Sequence, residues 1–300
     1  MHSMDFEEFL WAKGYKESQI EDLYTCMKEC RPLTTAQYDV MMKNFKDYMV
    51  LGGMPAIVAR YIANKNFSGI LDMQEQILKD YEEDISKYAN GLNKARILNA
   101  YRKITVFLGN ENKKFQVSKL ADGARNREYR GVSDWLSDAG IVNISYCMED
   151  CALPLKGNYN PDNYRLYFAD TGLLIASLDD EAQDDLRKNQ NFNTYKGAIY
   201  ENIIGDMLVK EGYDLFFYKN EKGNVEMDFF IRDRNSLIPV EVKANDNSTV
   251  SLNYLIDSDK YKDIKYGIKL CNKNIGFNGK FYTFPYFMAF LLKRYLRETK

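Results

Sequence analysis

Apolar residues recur at helical spacing through the first ninety positions. DFEEFLWAKG opens with an acid-rich turn, which suits the positive end of a helix, and stops at Gly14. TTAQYDVMMKNFKDYMVLGG runs from a threonine cap to a Gly-Gly end. In MPAIVARYIANKN, Pro55 stands near a helix start, where its missing N–H costs little. ILDMQEQILKDYEEDISKYA is a further amphipathic stretch. Residues 1–90 are therefore expected to form a helical region without a strand.

From residue 91 the pattern changes. KARILNAYRKITVFLG, QVSKLADGAR and NREYRGVSDWLSDAG predict three helices, the last closing at Gly140. IVNISYCM and YRLYFAD predict two strands on either side of a connection rich in Pro, Gly and Asn. Three helices followed by a two-stranded ribbon is the order of a winged helix-turn-helix domain, placed here over 91–178. The third helix of that arrangement is the one that enters a major groove. It would carry Arg125, Arg127 and Arg130 in its first turns, with Lys119 on the helix before it. Other winged helices bind protein instead.

Residues 190–300 mix both periods. YKGAIYENIIGDMLVKEG reads as a helix ending at Gly212, and YDLFFYKN as a strand. After the turn EKGN comes the hairpin VEMDFFIRDRNSLIPVEVKA. SLNYLIDSDKYKD predicts a helix, IKYGIKLC a strand and FPYFMAFLLKRYL a closing helix. The fold class expected for the chain is α+β or α/β.

The hairpin holds the chemistry. With a loop at Asp233–Ser236, Asp228 faces Glu241 and Glu226 faces Lys243. All four project from one face, while Val225, Met227, Phe229, Ile231, Ile238, Val240 and Val242 line the other. Opposed side chains of an antiparallel pair lie about 5 Å apart at Cβ, and like charges there are unfavourable. A divalent cation such as Mg²⁺ between Asp228 and Glu241 would relieve that cost and could activate water on a phosphodiester. The same alternation also belongs to any half-exposed hairpin with Glu226–Lys243 as a cross-strand ion pair. A slip of one residue would part the two acids.

Composition narrows the choice. The 300 residues, 45% hydrophobic and 28% charged, suit a soluble globular chain of two or three domains. No run of about eighteen apolar residues predicts a membrane span, and the acidic N-terminus has no apolar signal core. Five cysteines, an odd count, fit the cytosol, and Cys-x-x-Cys zinc knuckles are absent. His2 is the only histidine, which excludes a Ser-His-Asp machine or a histidine-ligated zinc enzyme. The sequence contains no G-x-x-x-x-G-K-[ST], hence no ATP site of the P-loop kind. Net charge is −2, but residues 91–130 hold ten bases against three acids, the footprint of a nucleic-acid contact or of a solvated helix face.

Asp228 followed after a hairpin by Glu241-Val242-Lys243, with Glu201 on the preceding helix, resembles the PD-(D/E)XK nuclease superfamily. The order over 195–271 is similar to that superfamily's αβββαβ core. The resemblance implies that Asp228 and Glu241 bind Mg²⁺, that Lys243 orients or activates water, and that Glu201 assists. Met227 stands where the pattern has Pro. Nearly the whole chain resembles one bacterial and archaeal family that joins an AAA-type ATPase to a C-terminal domain of unknown function. The matching segments are MDFEEFLWAKG, YMVLGGMPAIV, YEEDISKY, WLSDAGIV, YKGAIYENIIGDML, GNVEMDFFI and IPVEVKA. The Walker motifs that precede the MDFEEFL-like segment in that family are missing here. The resemblance thus implies a lid-like helical region over 1–90, a winged helix and a nuclease-like domain, acting on DNA with Mg²⁺. The alternative is the same fold without catalysis, binding DNA, a protein partner or a second copy of the chain.

Overall fold

Asp5 starts helix α1 (Phe6–Ala12). Its carboxylate accepts the Glu8 N–H at 2.8 Å, and the Glu8 side chain accepts the Asp5 N–H at 2.9 Å. This reciprocal box satisfies two donors that a helix start leaves open. A computed structural model describes residues 2–89, 94–110, 113–120, 129, 131–188, 190–191, 195–244 and 248–298. Helices α2 (Glu17–Lys28), α3 (Thr35–Leu51), α4 (Pro55–Asn64) and α5 (Ile70–Tyr88) follow, as the periodicity predicts. Pro55 occupies the first turn of α4.

Next come α6 (Lys94–Arg102), α7 (Ile104–Gly109), a 3-10 turn at Val117–Lys119 and α8 (Val132–Asp138). The stretch expected as one helix over 94–109 is broken at Lys103, beside the β-branched run Ile104-Thr105-Val106. Helix α8 has its N-cap at Gly131, whose φ of 80° favours glycine. Arg125, Arg127 and Arg130 precede that cap in sequence and lie outside the described residues.

The strands β1 (Val142–Met148) and β2 (Tyr159–Phe168) fall where alternation predicts, with β2 reaching back into the polar connection. Two short helices, α9 (Thr171–Ala176) and α10 (Ala182–Lys188), were not foreseen. Then come α11 (Tyr195–Lys210), β3 (Leu215–Lys219), β4 (Glu226–Met227), β5 (Phe229–Asp233) and β6 (Ser236–Lys243). Helix α12 (Val250–Asp257) leads to β7 (Gly267–Cys271), a hairpin of β8 (Gly276–Phe277) and β9 (Phe281–Pro285), and α13 (Leu292–Glu298). The hairpin is a further addition to the expected order. One sheet runs β2-β1-β3-β4 and the other β5-β6-β7-β9-β8. No helix among the described residues is long and apolar enough to cross a membrane.

The chain divides into two compact units. The first gathers Met1–Met4, Asp47–Ile144 and Asn163–Asp206; the second gathers Asp5–Lys46, Ser145–Asp162 and Met207–Lys300.

In the first unit, polar side chains bind distant segments. Asp170 is 1% exposed. It accepts the Gly53 N–H at 2.7 Å and caps α9 through the Leu173 N–H at 3.2 Å. The approach leaves no room for a side chain at Gly52, whose φ is 70°. Gln74 donates to the Val50 and Leu51 carbonyls at the end of α3, and Gln183 donates to Gln74. These bonds satisfy carbonyls that a helix end would otherwise orphan.

In the second unit, β5 and β6 are antiparallel while β7 runs parallel to both β6 and β9. Helix α12 makes the crossover from β6 to β7. Its Leu252 and Leu255 bury against Phe230 and Leu237. Phe6 meets Phe45 and Phe290 edge-on at 5.7 and 5.6 Å, and Phe45 stacks on Tyr286 at 6.0 Å. Segments at opposite ends of the sequence thus share one apolar core.

Candidate functional site

The hairpin has the register that the sequence implies. Phe229 pairs with Val240 and Asp233 with Ser236. The ladder then stops one pair short of Asp228 and Glu241, because Asp228 interrupts the strand between β4 and β5. Its carboxylate instead accepts the backbone N–H of Val242 at 2.8 Å. The break shifts the alternation, as a bulge does. Met227 and Phe230, expected on opposite faces, belong to one apolar cluster with Leu237 and Leu252.

Three expectations about the hairpin change accordingly. The strand partner of Glu226 is Lys219 and not Lys243: β4 pairs with β3, and Glu226 meets Lys219 at 2.8 Å. Lys243 turns to Glu241 and donates to Oε1 at 2.9 Å. The face bearing Glu241 is not an open polar surface, because α12 covers its first half and Pro239 and Leu237 are buried. A side chain at Gly267 would run into Leu252, which locates that cover.

Beyond the cover lies a small charged corner. Glu241 is 2% exposed, Lys243 and Asp228 are half-buried, and Lys269 is 7% exposed. The parallel register sets Lys269 directly across from Glu241 on the same face. Burial pushes the Glu241 carboxyl above the ordinary carboxylate range, against the opposing pull of Lys243 and Lys269. The Glu241 Oε2 is buried without a hydrogen-bond partner among the described residues. Lys269 escaped the sequence reading because IKYGIKLC is a mainly apolar strand, and only the β6–β7 register brings its lysine to the acids.

Glu201 lies in the first unit, while Asp228, Glu241 and Lys243 belong to the second. It is 5% exposed on α11. Lys113 pairs with its Oε1, Tyr167 donates to Oε2 at 3.3 Å, and Arg165 lies 3.6 Å from Oε2. Its neighbours are packing groups. Tyr200 is buried, and Asn202 accepts the Phe168 N–H at 2.8 Å while donating to the Phe168 carbonyl and the Thr171 hydroxyl. Lys119 is exposed at the end of its 3-10 turn, whose last carbonyls take the Lys103 ammonium. None of the five cysteines forms a disulfide, and four of them are buried.

Among the described residues no three or more His, Cys, Asp or Glu side chains gather into a metal cage. A hard cation that keeps its waters needs only one or two carboxylates. Asp228 and Glu241 fit that demand: both are oxygen donors, one is oriented by a backbone N–H, and the other presents a buried oxygen that lacks a partner among the described residues.

Residues 42–184 match a family described as Domain of unknown function (DUF8612), and residues 196–287 match Domain of unknown function (DUF4143). The second type is commonly found at the C-terminus of AAA-type ATPases. All four residues of the corner, and Glu201, fall within that second span. The chain matches no curated protein and no solved structure.

Proposed function

We propose that this chain is the DNA-associated part of an AAA-type ATPase-family protein, and that its second unit cleaves phosphodiesters with Mg²⁺ held by Asp228 and Glu241. The observation that carries this reading is Glu241 Oε2. A buried carboxylate oxygen without a partner among the described residues, next in sequence to the residue that anchors Asp228, is where a cation would sit. The order of elements from α11 to β7 supports a PD-(D/E)XK-like fold. Helices α6, α7 and α8 followed by β1 and β2 support a winged helix before it, with Lys119, Arg125, Arg127 and Arg130 as its DNA contacts.

Bound there, Mg²⁺ would supply Lewis-acid activation of water and neutralise charge developing on the phosphodiester. The chain's own residues do the remaining work. Val242 N–H fixes one Asp228 oxygen and so aims the other. Lys243 leaves Glu241 and sets its ammonium toward a phosphate oxygen or the attacking water. Lys269 stays opposite Glu241 and offsets its charge meanwhile. Glu201 has no part in these steps, since Lys113, Arg165 and Tyr167 already hold its carboxylate.

One feature favours a second reading, a silent module of the same fold that binds DNA or a protein partner. Lys243 closes Glu241 at 2.9 Å, and little of that carboxylate meets solvent. Calorimetry with Mg²⁺ and Mn²⁺ on wild type and on Asp228→Asn/Glu241→Gln, followed by cleavage assays on plasmid and single-stranded DNA, separates the two. Ion binding and cleavage that both vanish in the double variant support the nuclease. Ion-dependent cleavage that survives the double variant excludes this site, and DNA binding without cleavage in wild type leaves the silent module.

A further inference from the structure

Helix α12 leaves two apolar side chains in water beside the charged corner. Val250 is 68% exposed and Tyr254 49%. Four residues apart, they share one face of the helix, while Leu252 and Leu255 occupy the buried one. The first turn of α12 lies against the Asp228 break, because the Ser251 hydroxyl accepts the Glu226 N–H at 3.2 Å. The Tyr254 ring does not swing freely. It rests edge-on against Tyr261 at 6.3 Å, and Tyr261 is itself 5% exposed and braced on Tyr218. A held aromatic ring with a wet face is a surface on which a planar group can stack.

The corner itself is recessed. Glu241 and Lys269 are 2% and 7% exposed, and Lys243 offers the more accessible ammonium. Asp228 and Lys243 are its half-buried, accessible members. An intact duplex keeps its bases stacked inside and offers no base face to Tyr254. The unstacked bases of a single strand, whatever the sequence, have a π-face for an aromatic side chain.

We infer that the second unit takes single-stranded nucleic acid, or the frayed single-stranded end of a duplex, with a phosphate at Asp228, Lys243 and Lys269 and an adjacent base on Tyr254 and Val250 of α12. This specifies the substrate class of the proposed phosphodiester site and rests on that reading.

The test uses the full chain and a fluorescein-labelled oligothymidylate, alone or annealed to its complement with blunt ends. Anisotropy is read with Ca²⁺ replacing Mg²⁺ to slow cleavage. The single strand should bind about tenfold or more tightly than the duplex. Tyr254→Ala should lower its affinity about tenfold, the size of one lost base stack. Tyr254→Trp should keep the affinity, with indole fluorescence quenched on binding. Because Tyr254 is half exposed, both variants should melt with the wild type, and a matching melting curve confirms it. Equal or tighter binding of the duplex, or undiminished binding by Tyr254→Ala, overturns the single-strand assignment and leaves the phosphodiester site standing. If wild type binds neither form, the DNA-directed function falls, and this inference with it.

Discussion

The Asp228 carboxylate accepts the backbone N–H of Val242 at 2.8 Å, where the β5–β6 ladder has already ended. A residue picked out for its charge therefore also has a structural task. Asp228→Ala should cost about 1–3 kcal/mol, the range for a buried N–H losing a charged acceptor. Asp228→Asn keeps an acceptor oxygen and should cost less than half as much. Urea midpoints of the two variants check this, and equal midpoints would show that the bond contributes nothing. For the same reason Asn, and not Ala, is the variant for testing ion binding.

Glu241 and Lys243 form a second stability test. Lys243→Met leaves a buried carboxylate with one fewer cation. The expected loss is about 2–4 kcal/mol, below the range for a fully buried pair because a quarter of the lysine side chain reaches solvent. Glu241→Gln in the Lys243→Met background should recover part of that loss. A double-mutant cycle showing no coupling would mean that the two charges do not hold one another.

Asp170 and Gly52 make a pair of opposite failures. Removing the carboxylate with Asp170→Ala strands the Gly53 N–H and uncaps α9, for a cost of about 2–4 kcal/mol. Gly52→Ala should be at least as damaging, since its Cβ would fall 1.9 Å from the same carboxylate at a φ of 70°. Thermal melting of both variants, with Gly140→Ala as a positive-φ control in open space, separates the clash from simple backbone strain.

Glu211 should give the second unit a pH dependence. Burial, with Asp5 and Glu7 nearby, raises its carboxyl from about 4.5 to about 7, against Lys293 and Arg297. A raised carboxyl means that the folded chain holds the proton more tightly than the unfolded one. Its contribution to stability is full below pH 4.5 and lost as pH climbs through 7. Glu211→Gln should flatten that fall and unfold at higher urea than wild type at pH 8. A wild-type midpoint that does not drop between pH 5 and pH 8 relative to the variant would place the carboxyl in its ordinary range.

Much of the local structure was legible. The periods of Phe6–Leu51 and Ile70–Tyr88, the Pro55 start and the β5–β6 register all follow from patterns within a few residues. The departures come from contacts between distant residues. Glu226 turned to Lys219 because β4 pairs with β3, a choice that the hairpin sequence alone does not make. Lys269 reached the acids through a parallel register across a helical crossover. Alternation across Val225–Ile231 failed at Asp228, where a side-chain acceptor replaced a strand partner. Helix α9 could have been found from Asp170 as a cap before Thr171-Gly172-Leu173-Leu174. The apolar run after it blurred into the strand before it.

The aromatic nest of Phe6, Phe45, Tyr286 and Phe290 sets an order of events during synthesis. The first unit has all its residues once Asp206 has been made. The stretch Asp5–Lys46 has to wait for the last strands and for Phe290 before its aromatic faces find their partners. At ribosomal speed, about 5–20 residues per second, that wait lasts on the order of ten seconds to a minute. For that interval the helices of this stretch carry unburied phenylalanines, an apolar surface for a chaperone to hold. A nonsense mutation shortly before Phe290 would leave the same surface without its partner.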